Sequence, residues 1–349
     1  MKILIVSPDL NPQAERIASE LAKNSLHTEV IDQLHPLRLV FNQYDLIHFI
    51  EPGNPKSNKW QNLLTYFRQS LQTAFTHAIG LPTLVTLYDR SDSPNTLLEL
   101  PNQFSALTAS HIEQLKLHRK FQGEKMILPY LPVISRGLSH TLSEKNQNKI
   151  AFIIPVYKDF TDLLNYSKLH FQKILNCDFY IDARGLTFEM SHSQIRKEWT
   201  KFIKKNKDYA QFILFTSDEI FNSLKDSAPL YIALAKMRTT QKQFANWIEC
   251  YLQNDINLIL SEDQATGFSK YWKHQQNCFI IKDTSQLDSF ENSLLDYINT
   301  KRLANETFDK ISLFSQCIDA KINELTRLYT KIIQQKTSLN HRTSVKMEV

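Results

Sequence analysis

Short apolar runs alternate with stretches of helical period along nearly the whole chain. Residues 2–6 (KILIV) are an apolar run rich in β-branched side chains, closed by Ser7 and Pro8. Residues 14–26 then carry Ile17, Leu21 and Ala22 at helical spacing. Strand, loop and helix in that order make the first unit of a parallel sheet. Residues 28–31 (TEVI) and 44–50 (YDLIHFI) supply two further strands. A helix over 60–78 leads through Gly80 into 82–87 (PTLVTL); 104–109 (FSALTA), a helix over 111–120 and 125–128 (KMIL) follow. This alternation predicts an α/β architecture, an open parallel sheet with helices on both faces. Ligands of such sheets sit beyond the carboxyl ends of the strands, which here carry Ser7, Asp9, His48, Glu51, Tyr88, Asp89 and Ser110.

The pattern then repeats. A polar, turn-rich stretch over 136–148 divides a first domain, 1–135, from a second that begins at Lys149. There KIAFIIPVYKDFTDLLNYSKL reads as strand then helix, and further strands are expected at 177–181 (CDFYI), 212–215 (FILF), 229–233 (PLYIA), 257–261 (NLILS) and 278–281 (CFII). Residues 149–310 are therefore expected to be a second nucleotide-type domain. Residues 311–335 have the apolar spacing of a last helix, and 336–349 have no apolar period and are expected to be loose.

Composition narrows the class. The 349 residues are 42% hydrophobic and 11% aromatic, which describes a well-packed globular chain of about two domains. Only 6 are glycine, where average usage predicts roughly 24. The net charge of +5 comes from 41 basic residues interleaved with 36 acidic ones, so nucleic acid is not an expected partner. The basic stretch 197–207 (KEWTKFIKKNK) fits either a solvated helix face or weak peripheral contact with an anionic membrane. Cys177, Cys250, Cys278 and Cys317 are scattered and read as free thiols of a reducing compartment. The start lacks a basic n-region and an apolar h-region, and no apolar run approaches the ~18 residues of a membrane span; the expected location is cytoplasmic.

The chemistry-bearing positions are unusual. After the first strand, where a phosphate-binding fold places glycines so that backbone amides can approach, stand Asn11, Pro12 and Gln13. Nor does the chain contain GxGxxG after a strand, GxxxxGK[ST], HExxH or GxSxG, which disfavours hydride transfer, Walker-type phosphoryl transfer, zinc proteolysis and serine hydrolysis of that class.

Taken in order, MKILIVSP, AERIASELAKN with HTEVID, YDLIHF, GLPTLVTLYD, LTASHIEQLKL and ILPYLP resemble the N-terminal domain of family 4 glycosyltransferases of the GT-B fold. In that family the segments run as a GGAER loop, a GHEV strand, a D-(I/V)-(I/V)-H strand end, a G-(I/L)-P segment ending T-x-H-D, an (A/V)-S helix start and an I-x-V-I-P-N ending. Ala14, Glu15, Arg16, Asp45, His48, Thr86, Asp89 and Ser110 match; Pro12 and Gln13 replace the paired glycines, Tyr88 and Ile50 two frequent histidines. The second half resembles the donor-binding domain of the same enzymes. The resemblance implies two Rossmann-like domains facing each other across a cleft, with the last helix crossing back to the first.

In those enzymes an R-x4-K pair neutralises the departing diphosphate and an E-x7-E pair contacts sugar and ribose. Lys158 fits the lysine, while Ile153 falls at the arginine; Glu249 fits the second glutamate, while Gln241 falls at the first. The resemblance thus implies transfer of a sugar from a nucleotide-sugar donor to a glycan or protein acceptor, as in polysaccharide biosynthesis, with retention and without a metal or other cofactor. His48, Asp89 and Glu249 are its catalytic positions, Lys158, Gln241 and Glu249 its donor contacts, and Pro12 and Gln13 its cleft loop. Each has a plainer reading: a surface lysine, a helical carboxylate, a packed strand-end histidine, a capping aspartate. The losses at Pro12, Gln13, Ile153 and Gln241 raise a second class, a catalytically silent relative that assists a partner glycosyltransferase.

Overall fold

The computed structural model describes residues 1–7, 12–32, 34, 43–50, 80–88, 105–109, 115, 121–132, 150–166, 177–227, 229–234, 241–254, 256–274, 276–281, 296–297 and 310–347. The chain divides into two compact units, Met1–Leu131 with Ser315–Val349, and Pro132–Phe314.

The first unit is built on a parallel sheet in the order β2-β1-β3-β4-β5-β6. Its strands are β1 (Lys2–Val6), β2 (His27–Ile31), β3 (Leu46–Ile50), β4 (Thr83–Leu87), β5 (Ala106–Ala109) and β6 (Glu124–Ile127). Every residue of β3, β4 and β5 is buried, which is why these strands are apolar runs rather than alternating ones. Helix α1 (Pro12–Lys23) starts with proline at the one position where its missing N–H costs nothing, and buries Ala14, Ile17 and Leu21. One face of the sheet gathers Leu4, Val6, Ile47, Phe49, Val85, Leu87, Leu107 and Ala109.

The second unit repeats the architecture in the order β12-β11-β10-β7-β8-β9, again parallel. The strands are β7 (Ile150–Pro155), β8 (Cys177–Asp182), β9 (Ile213–Phe215), β10 (Leu230–Ala233), β11 (Ile256–Ser261) and β12 (Phe279–Ile281). The helices are α2 (His192–Lys205), α3 (Asp218–Ser227), α4 (Gln241–Gln253) and the short α5 (Glu262–Thr266). Trp199 and Phe202 of α2 pack on Phe152, Ile154, Phe179 and Ile181. Right-handed crossovers put α3 and α4 on the opposite face, where Phe221 and Trp247 meet edge to face at 5.7 Å. All twelve expected strands are present, shifted by one or two residues at their ends.

Helix α6 (Lys310–Met347) closes the chain. In the second unit its first turn seats Phe314 against Phe268, Tyr271 and Trp272, at 4.7, 4.8 and 6.0 Å between rings. From Ser315 it belongs to the first unit, where Ile318, Ile322, Leu325, Tyr329 and Ile332 are buried at helical spacing and Lys331 pairs with Glu124 at 2.8 Å. The helix continues to Met347, so the residues after 335 that were expected to be loose are helical to that point. The turn after β7, expected as a helix, is a 3₁₀ segment, Phe160–Tyr166. The expected helices over 60–78 and 111–120 and the linker over 136–148 lie outside the described residues, apart from Leu115.

Candidate functional site

A parallel sheet binds ligands beyond its carboxyl edge where the strand order reverses. In the second unit the chain runs outward from β7 through β8 to β9 and then returns to place β10 on the other side of β7. The reversal therefore lies at the ends of β7 and β10, and the loop after β7 carries Val156, Tyr157, Lys158 and Asp159. Val156 is buried and Lys158 exposed, with no ion-pair or hydrogen-bond partner among the described residues. Asp159 accepts from the backbone N–H of Thr161 at 2.7 Å and so fixes the way out of the loop.

Two contacts hold the loop in place. The indole N–H of Trp247 in α4 donates to the Tyr157 hydroxyl, and the Tyr157 ring lies flat against Gly185, in the loop after β8. A Cβ at Gly185 would stand 2.5 Å from Tyr157 Cδ1 and 2.8 Å from the Val156 carbonyl oxygen. Glycine is there for close approach. Gly185→Ala is accordingly expected to push the loop outward and lower stability by about 1–3 kcal/mol, with a change in Trp247 emission as its indole loses Tyr157. An unaltered urea midpoint and spectrum would reject that packing.

Beside the loop lies a charged cluster that sequence reasoning missed. Asp182, at the end of β8, is only 3% exposed. Arg184 grips it with a fork, Nε donating to Oδ1 at 2.9 Å and Nη2 to Oδ2 at 2.7 Å, while the Arg184 backbone N–H donates to the same Oδ1 at 3.0 Å. Nη1 reaches Asp218, the exposed first residue of α3, at 2.5 Å. The guanidinium also lies 4.2 Å above the Phe221 ring and 5.9 Å from that of Trp247. Burial alone would lower its pKa; the hydrogen bonds and charges of Asp182 and Asp218 outweigh that and raise it. The one local signal was an aspartate at a strand end followed by Ala-Arg-Gly.

The other expected positions fall as follows. Gln241 is the first residue of α4 and Glu249 its ninth, half-buried. Glu249 follows Trp247 by two residues, about 200° around the helix, so Trp247 rather than Glu249 is the side chain α4 turns toward the β7 loop. Ile153 is sealed inside β7, in register with Tyr180 and Ile232. In the first unit Pro12 is exposed at the head of α1. Gln13 is not in a loop: it is a buried residue of α1 whose amide donates to the Leu131 carbonyl at 2.8 Å and accepts from the Leu131 N–H at 2.7 Å. Asp89 and Ser110 lie outside the described residues, and Tyr88 is buried.

His48 is completely buried in β3. Its Nδ1 lies 2.8 Å from the Tyr329 hydroxyl of α6 and its Nε2 2.5 Å from Thr86 Oγ1, which is 2.5 Å from Thr108 Oγ1. The imidazole has both ring nitrogens hydrogen-bonded in the interior, to Tyr329 and Thr86. Desolvation holds its pKa down at about 3, so it stays neutral.

No protein-family model matches the chain, and no curated protein matches it either. Among solved structures, an E. coli trehalose-6-phosphate protein bound with UDP-2-fluoro glucose is similar over 96% of this chain and 99% of its own, with 11% identity and a TM-score of 0.51. Anabaena HepE in complex with UDP covers 97% of this chain and 100% of its own at 12% identity, with a TM-score of 0.48. At these identities the likeness is one of fold. Two six-stranded parallel sheets, each flanked by helices, are the two Rossmann-like domains of the GT-B fold.

Proposed function

We propose that the second unit binds a nucleotide sugar and that the protein transfers the sugar to a glycan or protein acceptor, with retention at the anomeric carbon and without a bound metal. The observation that carries this is Lys158, a cation without a partner among the described residues, held at the strand-order reversal of a GT-B donor-side sheet. In the transfer the bond from the anomeric carbon to the β-phosphate oxygen breaks, one to an acceptor hydroxyl oxygen forms, and the hydroxyl proton passes to the departing phosphate oxygen. The ammonium of Lys158 stabilises the charge that collects on the departing diphosphate. The resemblance assigns Gln241 and Glu249, along α4, to sugar and ribose; Trp247, not Glu249, faces the β7 loop, so a Glu249 contact would have to reach the donor from beside that loop. The E. coli and Anabaena structures, bound to UDP-2-fluoro glucose and UDP, suggest uridine nucleotides as the first ligands to try.

Lys158→Ala is expected to weaken UDP or GDP binding roughly 10- to 100-fold, the range of one hydrogen bond to a charged group, measured by calorimetric titration. Failure of the unmutated protein to bind either would remove the donor-site reading.

A second reading has specific support. Gln13 is built into α1 and locked to Leu131, and Ile153 is sealed within β7, so a glycine loop and an arginine contact are both gone. A catalytically silent relative that serves a partner transferase fits those losses. A nucleotide-release assay over a panel of donors separates the two. Release by the isolated protein that Glu249→Ala abolishes supports the enzyme; release only with a partner transferase supports the silent relative.

A further inference from the structure

Positive charge that the donor site does not use is concentrated on one helix. Helix α2 carries Arg196, Lys197, Lys201, Lys204 and Lys205 against one acid, Glu198, a net of +4 where the whole chain has +5. Its inner side is Ile195, Trp199 and Phe202. At about 100° per residue, Lys197, Lys201 and Lys204 stand at the pole opposite those three, with Arg196 and Lys205 on its shoulders, and all five are exposed. Glu198 pairs with Lys201 at 2.5 Å and offsets one charge. The helix is pinned at its start by a capping box, in which Ser191 and Gln194 each hold the other's backbone N–H.

Phe188 lies three residues before that cap and is 90% exposed, whereas the other exposed large apolar side chains among the described residues fall between 38% and 46%. It does not sit on a slack loop. It ends the 3₁₀ turn Arg184–Phe188, which is anchored by buried Leu186, by the Arg184 fork and by the Thr187 hydroxyl donating to the Arg184 carbonyl at 2.7 Å. The fold therefore holds a phenyl ring in water on the segment that leads directly into the basic helix.

We propose that α2 and Phe188 form a docking surface for an anionic lipid bilayer. A bilayer surface attracts an array of cations within a Debye length and takes up an apolar side chain at its headgroup boundary. Both elements are present here, on consecutive segments of one unit. Nucleic acid would match the charge but not the ring, and with α2 set aside the basic and acidic residues of the chain nearly balance. The contact is with the surface, since among the described residues no helix is long and apolar enough to cross a membrane. The inference stands apart from the donor-site reading.

The test is vesicle flotation of the full chain. With phosphatidylcholine and phosphatidylglycerol at about 7:3, the protein is expected to float at low salt and to be released as salt rises; on pure phosphatidylcholine it stays in solution. Each lysine contributes roughly fivefold in partition, so the triple variant Lys197→Gln, Lys201→Gln and Lys204→Gln should bind the mixed vesicles at least tenfold less. Phe188→Ala should weaken binding severalfold while leaving the salt dependence unchanged, because the ring acts by insertion and not by charge. All four side chains are solvent-exposed, and circular dichroism with urea unfolding checks that the variants keep their fold. No flotation with the mixed vesicles, or equal flotation of the triple variant, would overturn the proposal. So would Phe188→Ala without effect alongside equally tight binding to duplex DNA, which would mark a surface that reads charge alone.

Discussion

Arg184→Ala is expected to lower the stability of the second unit by about 3–5 kcal/mol, the range for removing one partner of a buried ion pair. The loss comes from what remains. Asp182 is 3% exposed, and without the guanidinium its carboxylate keeps a single backbone N–H donor among the described residues. Phe221 loses the cation above its ring as well. Asp218 adds little, because its side chain is 81% exposed and an exposed pair is worth about 0–1 kcal/mol. Arg184→Lys keeps the charge but not the fork, and should fall between the two. Removing both charges together, Asp182→Leu with Arg184→Met, should recover most of the stability, since no lone buried charge is left. Urea unfolding followed by tryptophan emission is the direct measurement, because Trp247 lies 5.9 Å from the guanidinium. A loss below about 1 kcal/mol for Arg184→Ala would show that Asp182 is solvated and that the fork does not hold the β8 end in place.

Acid should weaken the first unit through His48. Its folded-state pKa is about 3 against 6.5 for a free imidazole. The unfolded chain therefore takes up a proton that the folded chain refuses. Stability from this group is complete above pH 6.5 and falls by about 1.4 kcal/mol per pH unit below it, until the folded histidine itself titrates near 3. The loss amounts to about 2 kcal/mol by pH 5 and about 4 kcal/mol by pH 3. Proton NMR provides the check: of the eleven histidines, one ring should show no titration down to about pH 4, and that resonance should vanish in His48→Asn. The same variant should flatten the slope of stability against pH between 6.5 and 4. Eleven rings all titrating near 6.5 would contradict the buried network of His48, Thr86, Thr108 and Tyr329.

The strands were legible in the chain for a local reason. A strand sealed on both faces reads as a near-continuous apolar run, and β3, β4 and β7 read so apart from His48, Thr83 and Thr86. That Lys158 falls in the loop after the first strand of the second sheet was legible too; its role is the proposal made above. Gln13 was misplaced: α1 starts at Pro12, so the residue read as loop belongs to a helix, and its partner Leu131 is 118 positions away. The tail after 335 has no apolar stripe but continues α6 as helix.

Arg184 and Asp182 are charged residues of a kind common at strand ends. Only the return of the chain from β9 to β10, which brings Phe221 and Trp247 beside them, makes them a buried clamp. His48 alternates into β3 like any strand residue; burial by the assembled unit keeps it neutral, and its Nδ1 partner Tyr329 lies 281 positions later in the chain. Periodicity is a property of neighbours along the chain, so element type and order follow from it directly. Burial, ionisation and pairing depend on which distant elements stack on a given face, and that is decided when the sheets and helices assemble.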